Sequence, residues 1–162
     1  MKKKIITIVL TAVLLFALTF TLTSCVDFNR SVELEGLTMD LPITFIDFGS
    51  MIPEDIVGEV DATVYASVVD GILISVAKDP AEEGEDYDFS DTELSEGDSL
   101  IDINGHTAMR SEISEGDINL KGLLMAIEQD ESVWIIAAFW IDDGDDTKEA
   151  KVIEYLSTIE IQ

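Results

Sequence analysis

The sequence predicts an α+β domain: an antiparallel β-sheet of about six to seven strands with flanking helices, one of them C-terminal. Three observations carry that expectation. From Ser31 onward apolar residues recur mostly at every second position, the period of a strand with one buried face. Val133 to Ile141 is an unbroken apolar run containing two tryptophans, which suits a central strand buried on both faces and requires helices to cover at least one of them. Val152, Tyr155, Leu156 and Ile159 fall at i, i+3, i+4 and i+7, the stripe of an amphipathic helix.

Taken in order, Leu34, Gly36, Met39 and Leu41 suggest a first strand ended by Pro42, and Ile43 to Phe48 a second apolar stretch. Pro53-Glu54-Asp55-Ile56 suits a short helical turn, with a proline and two acids where a first turn favours them. Thr63–Val69 and Ile72–Lys78 flank Asp70-Gly71, which predicts a tight type I′ hairpin with Val64, Ala66 and Val68 opposite Ile72, Ile74 and Val76. Residues 79–98 hold ten acids and no base, so mutual repulsion predicts an extended acidic loop. Ile101–Ile103, the Asn104-Gly105 turn and His106–Ile113 read as strand, turn and strand. Ile118–Ile127 and Val133–Ile141 follow as two more strands, joined across Gln129–Ser132. Asp146 as N-cap with Glu149 three residues on forms a capping box for the last helix. Ile159 and Ile161 alternate with polar neighbours as in a short edge strand.

Charge divides the chain sharply. Residues 1–24 carry Lys2, Lys3 and Lys4 and no acid, whereas residues 25–162 hold all 34 acids against six bases, a formal charge of −28. Nucleic-acid binding depends on basic side chains neutralising phosphates, so that class is excluded, and an anionic lipid surface repels such a domain. The charge does not prevent folding, because the apolar residues are clustered into strand-like runs.

The three lysines are followed by Ile5 to Leu22, an apolar stretch relieved only by threonines, which is the layout of a secretory signal. Leu22-Thr23-Ser24-Cys25 closes it. This resembles the lipobox of bacterial lipoproteins, in which a small residue precedes an obligatory cysteine. The resemblance implies cleavage before Cys25, a diacylglyceryl group on its thiol, and a protein held on the extracytoplasmic face of the cell membrane. Two acyl chains, at about 0.8 kcal/mol per buried methylene, anchor durably. An uncleaved spanning helix and an ordinary signal peptide are the alternatives. Against both, Cys25 is the only cysteine, and it stands where the lipobox requires it. The resulting organisation is a signal peptide over 1–24, a lipidated tether over 25–30, and a single acidic domain over 31–162 containing the 79–98 loop. One cysteine also rules out an intramolecular disulfide.

Candidate chemistry is sparse. His106 is the sole histidine, so any nucleophile–histidine arrangement must use it, yet it follows a turn with no serine or cysteine partner nearby. A solvent-facing strand residue is the simpler account. Asp102 and Glu128 lie in or beside apolar strands and are the first candidates for a hydrolase's carboxylate pair, which needs one carboxyl in an apolar pocket. Asp86-x-Asp88-x-Ser90 opens like a calcium loop, but Asp91 stands where glycine is needed and Gly97 where a bidentate glutamate is needed. Asp143-x-Asp145-x-Thr147 fails similarly at Lys148. Asp86, Asp88, Asp91, Asp143 and Asp145 therefore remain candidates only for a loosely held divalent cation; no other cofactor is expected. Trp134 and Trp140 share a strand face, as core residues or as a platform for an apolar or sugar ligand.

Several segments together resemble the small exported domains related to PsbP, Mog1 and DcrB. They are the opening "GLTMDLPITF", the hairpin "TVYASVVDGILISV", the strand "INGHTAMRSEI", the apolar "VWIIAAFW" and the closing "YLSTIEI". The resemblance implies an antiparallel sheet flanked by helices and, since many bacterial members are lipoproteins of unknown function, no catalytic residues to carry over. The expected role is a membrane-anchored, non-catalytic binding module for an unidentified envelope protein or ligand. Cation binding through the acidic loops and carboxylate-dependent hydrolysis are the alternatives.

Overall fold

The computed structural model describes residues 29–34, 36–49, 61–81, 87, 89, 93–115, 118–144 and 147–162. The signal segment, Cys25 and the Pro53–Ile56 turn lie outside them. Ten strands and one helix form among the described residues: β1 (Asn29–Leu34), β2 (Leu37–Pro42), β3 (Phe45–Asp47), β4 (Asp61–Ser67), β5 (Ile72–Pro80), β6 (Ser99–Ile103), β7 (His106–Glu115), β8 (Ile118–Gln129), β9 (Ser132–Ile141), α1 (Thr147–Leu156) and β10 (Glu160–Ile161). Seven strands make one antiparallel sheet in the order β3-β4-β5-β9-β8-β7-β6, and a smaller antiparallel sheet has the order β1-β2-β10. The α+β expectation holds, and β9 is the central strand of the seven, buried on both faces.

The main core lies between one face of the large sheet and a cover made of the small sheet and α1. Leu37, Met39 and Leu41 alternate inward from β2 and meet Ile72, Ile74 and Val76 of β5 and Trp134, Ile136 and Ala138 of β9. Val152, Tyr155 and Leu156 complete it from the helix, where the Tyr155 ring meets Phe45 edge-on at 5.6 Å. Burying this many aliphatic and aromatic side chains, each contributing about 1.5–3 kcal/mol, holds the fold without a disulfide. On the opposite face Val64 and Leu73 form a smaller cluster with Phe48 and Phe139. There the Phe139 ring lies over Gly122, so close that a Cβ at that position would sit 2.9 Å from ring carbons.

Several sequence expectations need correction. The segment 34–41 is not one strand: Gly36 takes φ +94°, which reverses the chain and separates β1 from β2. The first described strand includes Asn29 and Arg30, which the sequence expectation assigns to a tether. The β4–β5 connection is not a two-residue type I′ turn. Ser67 pairs with Ile72, leaving a four-residue loop in which Gly71, but not Asp70, has positive φ. Side-chain chemistry selects it: Ser67 Oγ donates to the Asp70 carboxylate at 2.7 Å and accepts the Asp70 N–H at 3.2 Å. The facing changes accordingly, so Val64 and Ala66 pair with Ser75 and Leu73, while Ile72, Ile74 and Val76 pair with Ser67, Tyr65 and Thr63. The helix stops at Leu156, because Ser157 and Thr158 hydroxyls bond back to the carbonyls of Ile153 and Tyr155; Ile159 is buried beyond its end. Asp146 lies outside the described residues. The Asn104-Gly105 turn does form as expected, with φ of 54° and 87°.

Candidate functional site

The described residues form a cleft of about 510 Å³ where the β4–β5 loop faces the start of α1. Val68, Val69 and Ile141 give it apolar walls, and Asp70, Asp143, Lys148 and Lys151 its charges. The loop's own hydrogen bonds fix one wall. Thr44 Oγ1, from the β2–β3 turn, lies 3.5 Å from the Asp70 carboxylate and 3.3 Å from Ser67 Oγ. Lys151 reaches from the helix to the same carboxylate at 2.7 Å. Burial pushes the Asp70 pKa up, but the hydrogen bonds from Lys151, Ser67 and Thr44 outweigh it and hold the carboxyl below its ordinary value.

Three neighbouring contacts brace the same corner. Lys148 bonds Asp143 at 2.6 Å and the Ile141 carbonyl at 3.3 Å. Lys121 of β8 pairs with Asp142 at 3.2 Å. The Asp142 carboxyl is held below its usual range first by the Gly144 N–H and then by Lys121. Arg110 of β7 bonds Glu149 in the first helical turn at 2.8 Å. Each of these four ion pairs has one partner between residues 142 and 151, or on the loop that segment faces. Sequence reasoning missed the cleft: the bases are spread along the chain, and only tertiary packing sets Lys151 of the helix against Asp70 and Lys121 of β8 against Asp142.

The sequence-predicted candidates fall elsewhere. His106 begins β7 at the opposite end of the sheet and is partly exposed. It lines a small hollow of about 210 Å³ with Tyr87, Gly105, Ala126 and Glu128. Glu128 and Asp102 are both exposed and flank β7 on different strands, so about two interstrand spacings, roughly 10 Å, separate their backbones. Asp102 instead accepts the Gly105 N–H at 3.2 Å and so supports the turn. Neither carboxyl sits in the apolar pocket that a hydrolase's general acid needs. Trp134 and Trp140 are each 2% exposed and face the main core, so they are packing residues and offer no ligand platform. Lys78 covers Trp134 at 4.8 Å from the ring centre.

Asp143 is committed to Lys148, and among the described residues no three His, Cys, Asp or Glu side chains gather as a metal site. Asp86, Asp88, Asp91 and Asp145 lie outside the described residues, as do Leu22, Thr23, Ser24 and Cys25. Among the described residues no helix is long and apolar enough to cross a membrane.

No family model and no curated protein matches the chain. Solved structures do. A protein from Bacteroides thetaiotaomicron aligns with TM-score 0.54 at 14% identity, over 78% of this chain but only 45% of its own length. Cyanobacterial PsbP from Synechocystis aligns with TM-score 0.52 at 11% identity, over 90% of this chain and 99% of that one. The Ran-binding protein Mog1p of Saccharomyces cerevisiae aligns with TM-score 0.51 at 12% identity, over 84% and 96% respectively. The last two match nearly end to end. The chain has the PsbP/Mog1-like α+β fold.

Proposed function

We propose that the protein is an exported lipoprotein, held on the extracytoplasmic face of the cell membrane through Cys25, whose folded domain is a non-catalytic binding module. The observation that carries the anchor is the juxtaposition of Leu22-Thr23-Ser24-Cys25 with the start of the fold. β1 opens at Asn29, so only Val26, Asp27 and Phe28 separate the lipid-bearing residue from the first strand. A spanning segment needs no cysteine at that point; a lipidated one does.

The binding role is supported by what the domain offers. Its one histidine and the cleft stand at opposite ends of the sheet, about 30 Å apart at 3.3 Å per residue along β9. The lysines in the cleft are tied to aspartates, which suits a fixed recognition surface better than proton transfer. Mog1p is described as a Ran-binding protein, and by that likeness the fold is suited to engaging another protein. The partner we infer is an envelope protein or small ligand seated against the α1 side of the cleft, at Lys148 and Lys151.

Intact mass and membrane fractionation of the full-length protein, beside a Cys25→Ala variant, test the anchor. The wild type should lack residues 1–24, carry a diacylglyceryl group and sediment with membranes, and the variant should do none of these. A soluble wild type, or one retaining residues 1–24, would refute it.

A further inference from the structure

Strand register divides the domain into two unlike ends. The β1 start lies beside the β2–β3 turn, because Asn29 pairs with Pro42, and Arg30 bonds the Phe45 carbonyl at 2.9 Å. Thr44 ties that turn to the β4–β5 loop. The chain therefore enters the fold next to two loop tips, and both present an aliphatic side chain to solvent: Ile43 is 48% exposed and Val69 51%. Ile46 is also exposed on β3 close to these tips, whereas exposed Ile113 lies at the same end of the sheet but four strands away from β4. The acids of the cleft are matched by bases, Asp70 by Lys151 and Asp143 by Lys148. The other end, one sheet length away, carries Asp102, Glu128, Asp130 and Glu131, all exposed.

We propose that Ile43 and Val69 dip into the lipid surface to which Cys25 is anchored, as a second, apolar contact that fixes the orientation of the domain. The inference rests on the lipid anchor. Three residues separate Cys25 from Asn29, four Cα–Cα steps that fully extended span only about 14 Å, so the acyl chains insert close to these two tips. A tether that short holds the loops at high effective concentration against the bilayer. An anionic leaflet repels the domain's net charge, and this orientation turns Asp102, Glu128, Asp130 and Glu131 away from it, leaving exposed Glu112 at the near end. Contact is made by aliphatic side chains, so it requires no anionic lipid.

The test uses full-length lipidated protein in phosphatidylcholine vesicles. With Cys25 acylated, Ile43→Cys, Val69→Cys and, as control, Glu131→Cys in the β8–β9 turn each supply a single thiol for an environment-sensitive fluorophore. Mass spectrometry verifies the diacylglyceryl group, and the emission of buried Trp134 and Trp140 verifies folding. Probes at 43 and 69 should shift to the blue, lose their accessibility to aqueous dithionite and be quenched by spin-labelled lipid, while 131 does none of these. If the protein is diacylated but 43 and 69 behave like 131, docking is refuted and the anchor stands. If 43 and 69 become buried only in native envelope membranes, a protein partner covers them and the lipid contact is refuted. If Cys25 carries no lipid and the protein does not float with vesicles, anchor and docking fall together.

Discussion

Replacing Gly122 by alanine should destabilise the domain, although glycine in a strand is ordinarily the weaker residue. The position has no positive φ, so the backbone accepts alanine, and loss of unfolded-state freedom alone would stabilise the fold by about 0.4–1 kcal/mol. The obstacle is Phe139 on the paired strand. A Cβ at 122 would lie 2.9 Å from both Cδ1 and Cε1 of its ring and 3.4 Å from the Ala138 carbonyl oxygen. The ring also packs in the cluster with Val64, Leu73 and Phe48, so moving it disturbs those contacts. Overpacking of this kind costs about 1–3 kcal/mol, leaving a net loss of about 1–2 kcal/mol. For a domain of this size that lowers Tm by about 4–8 °C. Thermal melts of Gly122→Ala, Phe139→Leu and the double variant measure the coupling, because the penalty should vanish once the ring is removed. A Gly122→Ala protein as stable as the wild type, or an equal loss in the Phe139→Leu background, would refute the explanation.

Asp70 gives a pH-dependent counterpart. Its carboxyl titrates below the ordinary value in the folded state, so its contribution is present above the unfolded pKa, about 3.9, and is lost as pH falls through the lower folded value. Asp70→Asn should therefore lower the urea midpoint at pH 7 and by distinctly less near pH 2–3; an equal loss at both would place the effect in packing. Ile136→Ala, at a fully buried position in the centre of β9, should cost about 2–5 kcal/mol with an unchanged denaturant slope, and a loss under 1 kcal/mol would mean that the core is not closed there. Trp134 and Trp140 should emit in the blue and resist aqueous quenchers in the native state, since both lie in the main core; red, readily quenched emission would contradict their burial.

What could be read from the sequence was whatever a single strand or helix decides for itself. Alternation in the 60s and 70s, the all-apolar β9 and the 147–156 stripe each announce an element through the faces that must be buried. Positions where side chains compete for the backbone were misjudged. Asp70-Gly71 has the composition of a two-residue turn, but Ser67 captures the aspartate and lengthens the loop. The same competition by Ser157 and Thr158 ends the helix before Ile159. Gly36 was read as part of a strand because a reversal at one glycine leaves the flanking alternation intact. The cleft could not be anticipated, since Asp70 and Lys151 are 81 residues apart and meet only through tertiary packing. The Asp102–Glu128 pair failed for a related reason, because nearness to apolar strands in sequence does not decide which face a carboxylate occupies.

The small sheet has a consequence for the order in which the molecule is assembled. Glu160 and Ile161 bond to Thr38 and Leu37, and the Gln162 N–H reaches the Gly36 carbonyl at 2.9 Å, so the third strand of that sheet arrives more than a hundred residues after the second. The β6–β7, β7–β8 and β8–β9 pairings are local and can form early, whereas joining β10 to β2 closes nearly the whole domain as one loop. The cover over Leu37 and Met39 is thus completed last. Removing residues 160–162 should leave a collapsed chain that binds hydrophobic dye and exchanges the amides of β2 ahead of those of β9.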